Sequence, residues 1–246
     1  MGLTARSLRQ RTAAHRAAQA EAELRADELQ HAKGLLAHRA SHDDLTGLPN
    51  RAQFLDRLAA ALDPADDPRR TDQPAHRVAV LFIDLDGLKA VNDELGHAAG
   101  DELLREAGTR LRHTVRSGDL VARLGGDEFT VLLPRADDSD EVEAVADRVV
   151  ACFREPFDLA AGSGRATISL GIAIGRAGRD SAERVVSAAD TAMYVAKRDG
   201  GDRHVHHAPG ARPDHSQEDV EVGRRPGVGA TPGPSPVHPT ATVPGA

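Results

Sequence analysis

The chain has 246 residues, 40% of them hydrophobic, which is enough for one sizeable core with extensions but crowded for two full domains. Five Phe, one Tyr and no Trp leave no material for a base-stacking platform, and a formal net charge of -7 gives no basic field for a nucleic-acid backbone, so no nucleic-acid partner is expected. Cys152 is the sole cysteine, which excludes an intramolecular disulfide or a Cys-rich zinc site; with no apolar leader and no stretch near the roughly 20 apolar residues of a span, the chain reads as soluble, cytoplasmic and without membrane insertion.

Residues 1–41 are rich in Ala, Arg, Glu and Gln and lack Pro, so a long N-terminal helix is predicted. Leu8, His15, Ala22, Leu29 and Leu36 recur every seven residues along one seam, although the companion positions Ala26, Lys33 and Ala40 are weak knobs. This segment is expected to be either a solvated helix or a coiled-coil segment for dimerisation or signalling.

From 42 to 207 strands and helices alternate. Val78 to Ile83 is a continuous apolar run that reads as a buried central strand ending at Asp84. Helical spacing of Leu103, Leu104, Ala107 and Leu111 predicts a helix over 98–115. Leu120–Leu124 and Glu128–Leu133 flank Gly125-Gly126-Asp127, the signature of a β-hairpin whose turn needs positive φ. A helix over 139–153, capped by Ser139, a strand over 165–174, a helix over 181–198 and a short strand at 203–206 follow. This order predicts an α/β (α+β) sandwich with a mostly antiparallel sheet and flanking helices, unlike a Rossmann pattern. Residues 208–246, rich in Pro and Gly, are predicted to be a disordered tail.

A sheet that pairs these elements brings Asp84 and Asp127 to one edge, where hard oxygen ligands suit Mg²⁺. Gly125 and Gly126 lack a Cβ, so their backbone N–H groups are open to a phosphate. Alone, each feature reads more readily as an ordinary turn or a strand end. Joined to Asp43-Asp44-Leu45-Thr46-Gly47-Leu48-Pro49-Asn50-Arg51, Phe82 to Lys89, Asn92-Asp93, Gly96-His97, Gly100-Asp101, Gly125 to Phe129 and Ala189 to Lys197 in this order, they resemble the GGDEF family of diguanylate cyclases over residues 41–204.

The resemblance implies a palm-like fold of the nucleotidyl cyclase and polymerase type, and a homodimer that condenses two GTP into cyclic di-GMP. It implies that Asp84, Asp127 and the backbone carbonyl of Leu85 hold Mg²⁺ (or Mn²⁺), with Glu128 as a further ligand or as the base for the 3′-hydroxyl. Asn92 and Asp101 match guanine-contacting positions, and Lys89 and Lys197 match positions that meet the triphosphate. Arg116 and Asp119 match an inhibitory product site. One departure is Gly201, where many members carry Arg; a phosphate contact is expected to be either missing or supplied by Arg198 or Arg203, and a silent nucleotide-binding domain is the alternative reading. An upstream sensor partner could act through the N-terminal helix. His204, His206 and His207 are read as an incidental surface strip rather than a metal cluster, and Cys152 as a core residue.

Overall fold

The computed structural model describes residues 38–63 and 76–208, together with the isolated positions 25 and 30. The seam of the N-terminal helix and the Pro-rich tail lie outside the described residues, apart from the helical turn at 38–41. Among the described residues no helix is long and apolar enough to cross a membrane.

The elements run α1 (Arg51–Leu62), β1 (Arg77–Asp86), α2 (Leu88–Leu95), α3 (His97–Thr114), β2 (Leu120–Gly125), β3 (Glu128–Leu133), α4 (Ser139–Arg154), β4 (Phe157–Leu159), β5 (Gly162–Gly164), β6 (Thr167–Arg176), α5 (Ala182–Arg198) and β7 (Arg203–His206). The five-stranded sheet has the order β2-β3-β1-β6-β7. All its pairs are antiparallel except β6 with β7. The mostly antiparallel α/β sandwich expected from the sequence is therefore the observed fold. β4 and β5 form a separate small hairpin.

β1 is central and buried along nearly its whole length, as its unbroken apolar run requires. Its alternation divides the core. Ala79, Leu81, Ile83 and Leu85 face a layer built from α3 and α4, with Leu103, Leu111, Val142 and Val149 among its members. Val78, Val80 and Phe82 face the opposite layer, where α1 and α5 supply Phe54, Leu58, Val185 and Met193. By the same period, Asp84 and Asp86 fall on the α1/α5 face.

The end of β1, the start of α4 and three elements differ from the sequence reading. β1 runs two residues further, to Asp86, because Thr167 still pairs opposite it on β6. The cap of α4 is Asp138, whose carboxylate accepts from the N–H of Asp140 at 2.9 Å, and Ser139 is the first helical residue. α1, α2 and the β4–β5 hairpin have no counterpart in the predicted order. α1 begins where Asn50 accepts from the N–H of Gln53 at 3.1 Å, and α2 is a two-turn helix whose Leu88, Val91 and Leu95 pack on the core.

Candidate active site

The antiparallel register of β1 and β3 sets Asp84 directly opposite Glu128, so the two side chains share one face. Between β2 and β3 the chain turns through Gly125 (φ 147°) and Gly126 (φ 52°), a conformation that side chains with a Cβ resist. No heavy atom lies within 4 Å of where a Cβ would stand on either glycine, so the approach to their backbone is open. Asp127 follows in the turn, and its carbonyl accepts from the N–H of Leu85 at 3.1 Å. Asp84, Leu85, Gly125, Gly126, Asp127 and Glu128 are thus gathered at one end of the sheet.

α5 closes this end. Lys197 Nζ donates to Asp84 Oδ1 at 2.9 Å, and Asp190, seven residues earlier and so on the same helix face, acts electrostatically on Glu128. Burial raises the Asp84 carboxyl above its ordinary value, Asp127 and Asp86 add to the rise, and Lys197 offsets it only in part. Burial also raises Glu128, followed by Asp190, Asp127 and Asp84, with Arg51 in opposition. Burial works against the Lys197 charge, but hydrogen bonding to Asp84 and the fields of Asp84, Asp127 and Asp86 raise its proton affinity overall. Burial of the two acids and, after it, the negative charge gathered around them favour a bound proton or cation here. A divalent cation bound by hard carboxylate oxygens would relieve that charge, so the donor set fits Mg²⁺ or Mn²⁺.

Asn92 on α2 lies against α3. A Cβ on Gly100 would stand 1.9 Å from Asn92 Oδ1, so the glycine makes room for the amide beside Asp101. Asp101 and Lys89 are exposed. Arg116 and Asp119 lie apart from these residues, at the far end of β2 from the glycine turn. Arg116 Nε donates to Asp119 Oδ1 at 3.2 Å, its other nitrogens reach Glu141 and the carbonyl of Arg135, and a cavity of about 460 Å³ opens among these residues.

Three contributors were not assigned roles from the sequence. Asp86 accepts from Ser169 Oγ at 3.0 Å and Thr167 Oγ1 at 3.3 Å, next to Asp84 on the same face. Arg123 is 8% exposed and donates to Asp43 Oδ1 at 2.8 Å and to the carbonyl of Gly126 at 2.7 Å, fastening the glycine turn to the segment before α1. The Asp84-x-Asp86 spacing and the seven-residue spacing of Asp190 and Lys197 were visible signals for two of them; nothing local marks Arg123, whose partner is 80 residues away. Gly201 abuts Asp86: a Cβ there would stand 2.8 Å from Asp86 Oδ2, at a φ of +68°. Cys152 is half-buried, its Sγ donates to the carbonyl of Val149 at 3.1 Å, and burial raises its thiol.

A palm-like sheet that carries paired acids opposite a glycine turn defines a class of nucleotide-handling domains. The chain matches the family described as diguanylate cyclase, GGDEF domain, over residues 40–203, and it belongs to that family. It is 46% identical over 172 residues to diguanylate cyclase TpbB of Pseudomonas aeruginosa, covering 69% of this chain and 38% of that protein's length. The solved GGDEF domain of TpbB is similar with a TM-score of 0.62 at 41% identity, covering 68% of this chain and 94% of that one. The coiled coil and GGDEF domain of DgcB from Caulobacter crescentus, solved in complex with c-di-GMP, is similar with a TM-score of 0.65 at 26% identity, covering 77% of this chain and 97% of that one.

Proposed function

We propose that this chain is a diguanylate cyclase that condenses two GTP into cyclic di-GMP with release of two pyrophosphates. The observation that carries the reading is the concentration of Asp84, Asp127 and Glu128 beside an open glycine turn, with Lys197 drawn in by their charge. Asp84, Asp127 and the Leu85 carbonyl are the groups that would hold the metal. When bound, the ion supplies charge neutralisation for the triphosphate and acidifies the attacking hydroxyl.

The chain's own groups do the rest. The N–H groups of Gly125 and Gly126 bind phosphate oxygens, and Lys197 and Lys89 neutralise the leaving pyrophosphate. Glu128 completes the donor set, and its raised proton affinity suits it equally to accept the 3′-hydroxyl proton. Asp101 accepts from guanine N1–H and N2–H₂, while the Asn92 amide pairs elsewhere on the base edge. Arg116 and Asp119 bind product, Arg at its phosphates and Asp at its guanine, and so restrain synthesis. One subunit presents one GTP, so the working unit is a homodimer in the cytoplasm, with residues 1–41 as the segment that pairs the catalytic domains (42–207) and meets an upstream sensor, and 208–246 as a tail.

The test is to incubate purified chain with GTP and Mg²⁺ and to follow cyclic di-GMP by mass spectrometry. Synthesis by the wild type and none by Asp127→Ala is the expected result. Full synthesis by that variant would remove the metal assignment. A second reading, a domain that binds GTP without turnover, is favoured by Gly201 alone; GTP binding with no product at high protein concentration would select it.

A further inference from the structure

On the face of the sheet away from the carboxylates, the edge strand β7 meets α4. Leu170 pairs with His204 and Ile172 with His206, so both histidines share the face of these apolar residues, which belong to the α3/α4 layer. Glu143 on α4 reaches between them. His204 Nε2 lies 3.0 Å from Glu143 Oε1, and His206 Nε2 lies 2.5 Å from Glu143 Oε2. One ligand atom from each of the three residues lies within 4.8 Å of the other two. Asp147, one helical turn beyond Glu143, holds its Oδ1 3.7 Å from His204 Nδ1. His207 is not part of the group, and its backbone N–H donates to the carbonyl of Ile172 at 2.7 Å.

We propose that His204, His206 and Glu143 form a binding site for a divalent transition metal of the Zn²⁺ type, distinct from the Mg²⁺ site and serving to pin β7 to α4. Two imidazoles and one carboxylate are a nitrogen-rich donor set that suits Zn²⁺ and leaves a fourth position for water, whereas Mg²⁺ prefers oxygen alone. The Asp147 carboxylate lies on the Nδ1 side of the His204 ring, beyond hydrogen-bond distance, where its charge favours a cation and leaves Nε2 as the ligand. His206 and Glu143 are each nearly half-exposed, so an ion enters without unfolding the strand. The role follows from position: β7 is a four-residue edge strand, and a ligand bridge to a helix secures such an edge. From the sequence only the His-x-His pair is visible, because Glu143 lies 61 residues before His204.

The experiment uses the full chain, stripped of metal and held in excess Mg²⁺ so that the active-site carboxylates are occupied. Zn²⁺ is titrated calorimetrically, and Co²⁺ is added in parallel for its visible ligand-field spectrum. The chain has 12 histidines, so the variants decide. One equivalent of Zn²⁺ should bind and raise the Tm, and the double variant H204Q/H206Q and the isosteric Glu143→Gln should each bind at least about 10-fold more weakly with loss of the Tm shift. Should the double variant fail to fold, Glu143→Gln carries the same comparison. Wild-type affinity in the variants, or no saturable one-to-one binding by the wild type, overturns the proposal. Neither outcome depends on whether the chain makes cyclic di-GMP.

Discussion

Glu128 sits among three like charges, those of Asp190, Asp127 and Asp84, with Arg51 alone against them. Burial first, and these charges after it, raise its carboxyl from the ordinary 4.5, so the metal-free folded chain binds a proton there more tightly than the unfolded chain does. Stability contributed by the protonated form is present at acid pH and is lost as pH rises from about 4.5 through the folded value. Glu128→Gln removes that loss. The metal-free variant is expected to melt higher than wild type at pH 8, by less than about 1 kcal/mol once solvent screening is counted, and equally at pH 4. Thermal melts at both values, in chelator, check this; a lower Tm at pH 8 would mean that the charge cluster is better compensated than its burial implies. At Gly201, by contrast, restoring the family's Arg is not a repair. The positive φ and the contact with Asp86 make Gly201→Arg strained, and synthesis by that variant is expected to fall below wild type.

Among the elements, α5 depends on a single missing side chain. A Cβ at Gly171 on β6 would stand 2.0 Å from the carbonyl oxygen of Ala189 and 2.1 Å from the nitrogen of Met193, both backbone atoms of α5. Gly171→Ala should therefore push the helix outward, cost about 2–3 kcal/mol in urea unfolding and draw Lys197 off Asp84. Gly175→Ala meets the side chains of Val185 and Leu62 rather than backbone, so it should cost less than Gly171→Ala, about 1–2 kcal/mol. A similar cost in both variants would show that α5 yields freely. The glycine turn is held in the same way by one distant group: Arg123→Ala leaves Asp43 with Thr46 alone and strands the Gly126 carbonyl, and about 2 kcal/mol with a lower kcat is the expected loss. These dependencies mark the boundary of what the sequence made legible. Apolar runs and glycine turns gave the central strand, the hairpin and three helices, and the ordered motifs gathered Asp84, Asp127, Glu128 and Lys197. What pairing alone creates was not legible: Asp84 opposite Glu128, Arg123 reaching 80 residues back, and Glu143 beneath two histidines. α2 escaped notice because it is only eight residues long and sits between Gly87 and Gly96, so its stripe of Leu88, Val91 and Leu95 spans just two turns.

At the scale of the whole molecule, the proposed product is a two-fold symmetric ring, while the described residues offer one set of carboxylates beside the Gly125-Gly126 turn. Each GTP must supply a 3′-hydroxyl and also receive one at its α-phosphate, so two copies have to face each other with like surfaces in contact. This makes synthesis a property of pairs, and pairs can be diluted with inactive partners. Asp127→Ala retains the turn and the sheet but loses an acid of the site. If it mixes freely with wild-type chains at fixed total concentration, product formation follows the square of the wild-type fraction, falling to about one-quarter when half the chains are inactive. Initial rates of cyclic di-GMP formation across the mixing series check the exponent. A straight-line dependence would mean that one chain closes the ring by itself, and the homodimer reading would be lost even with synthesis intact.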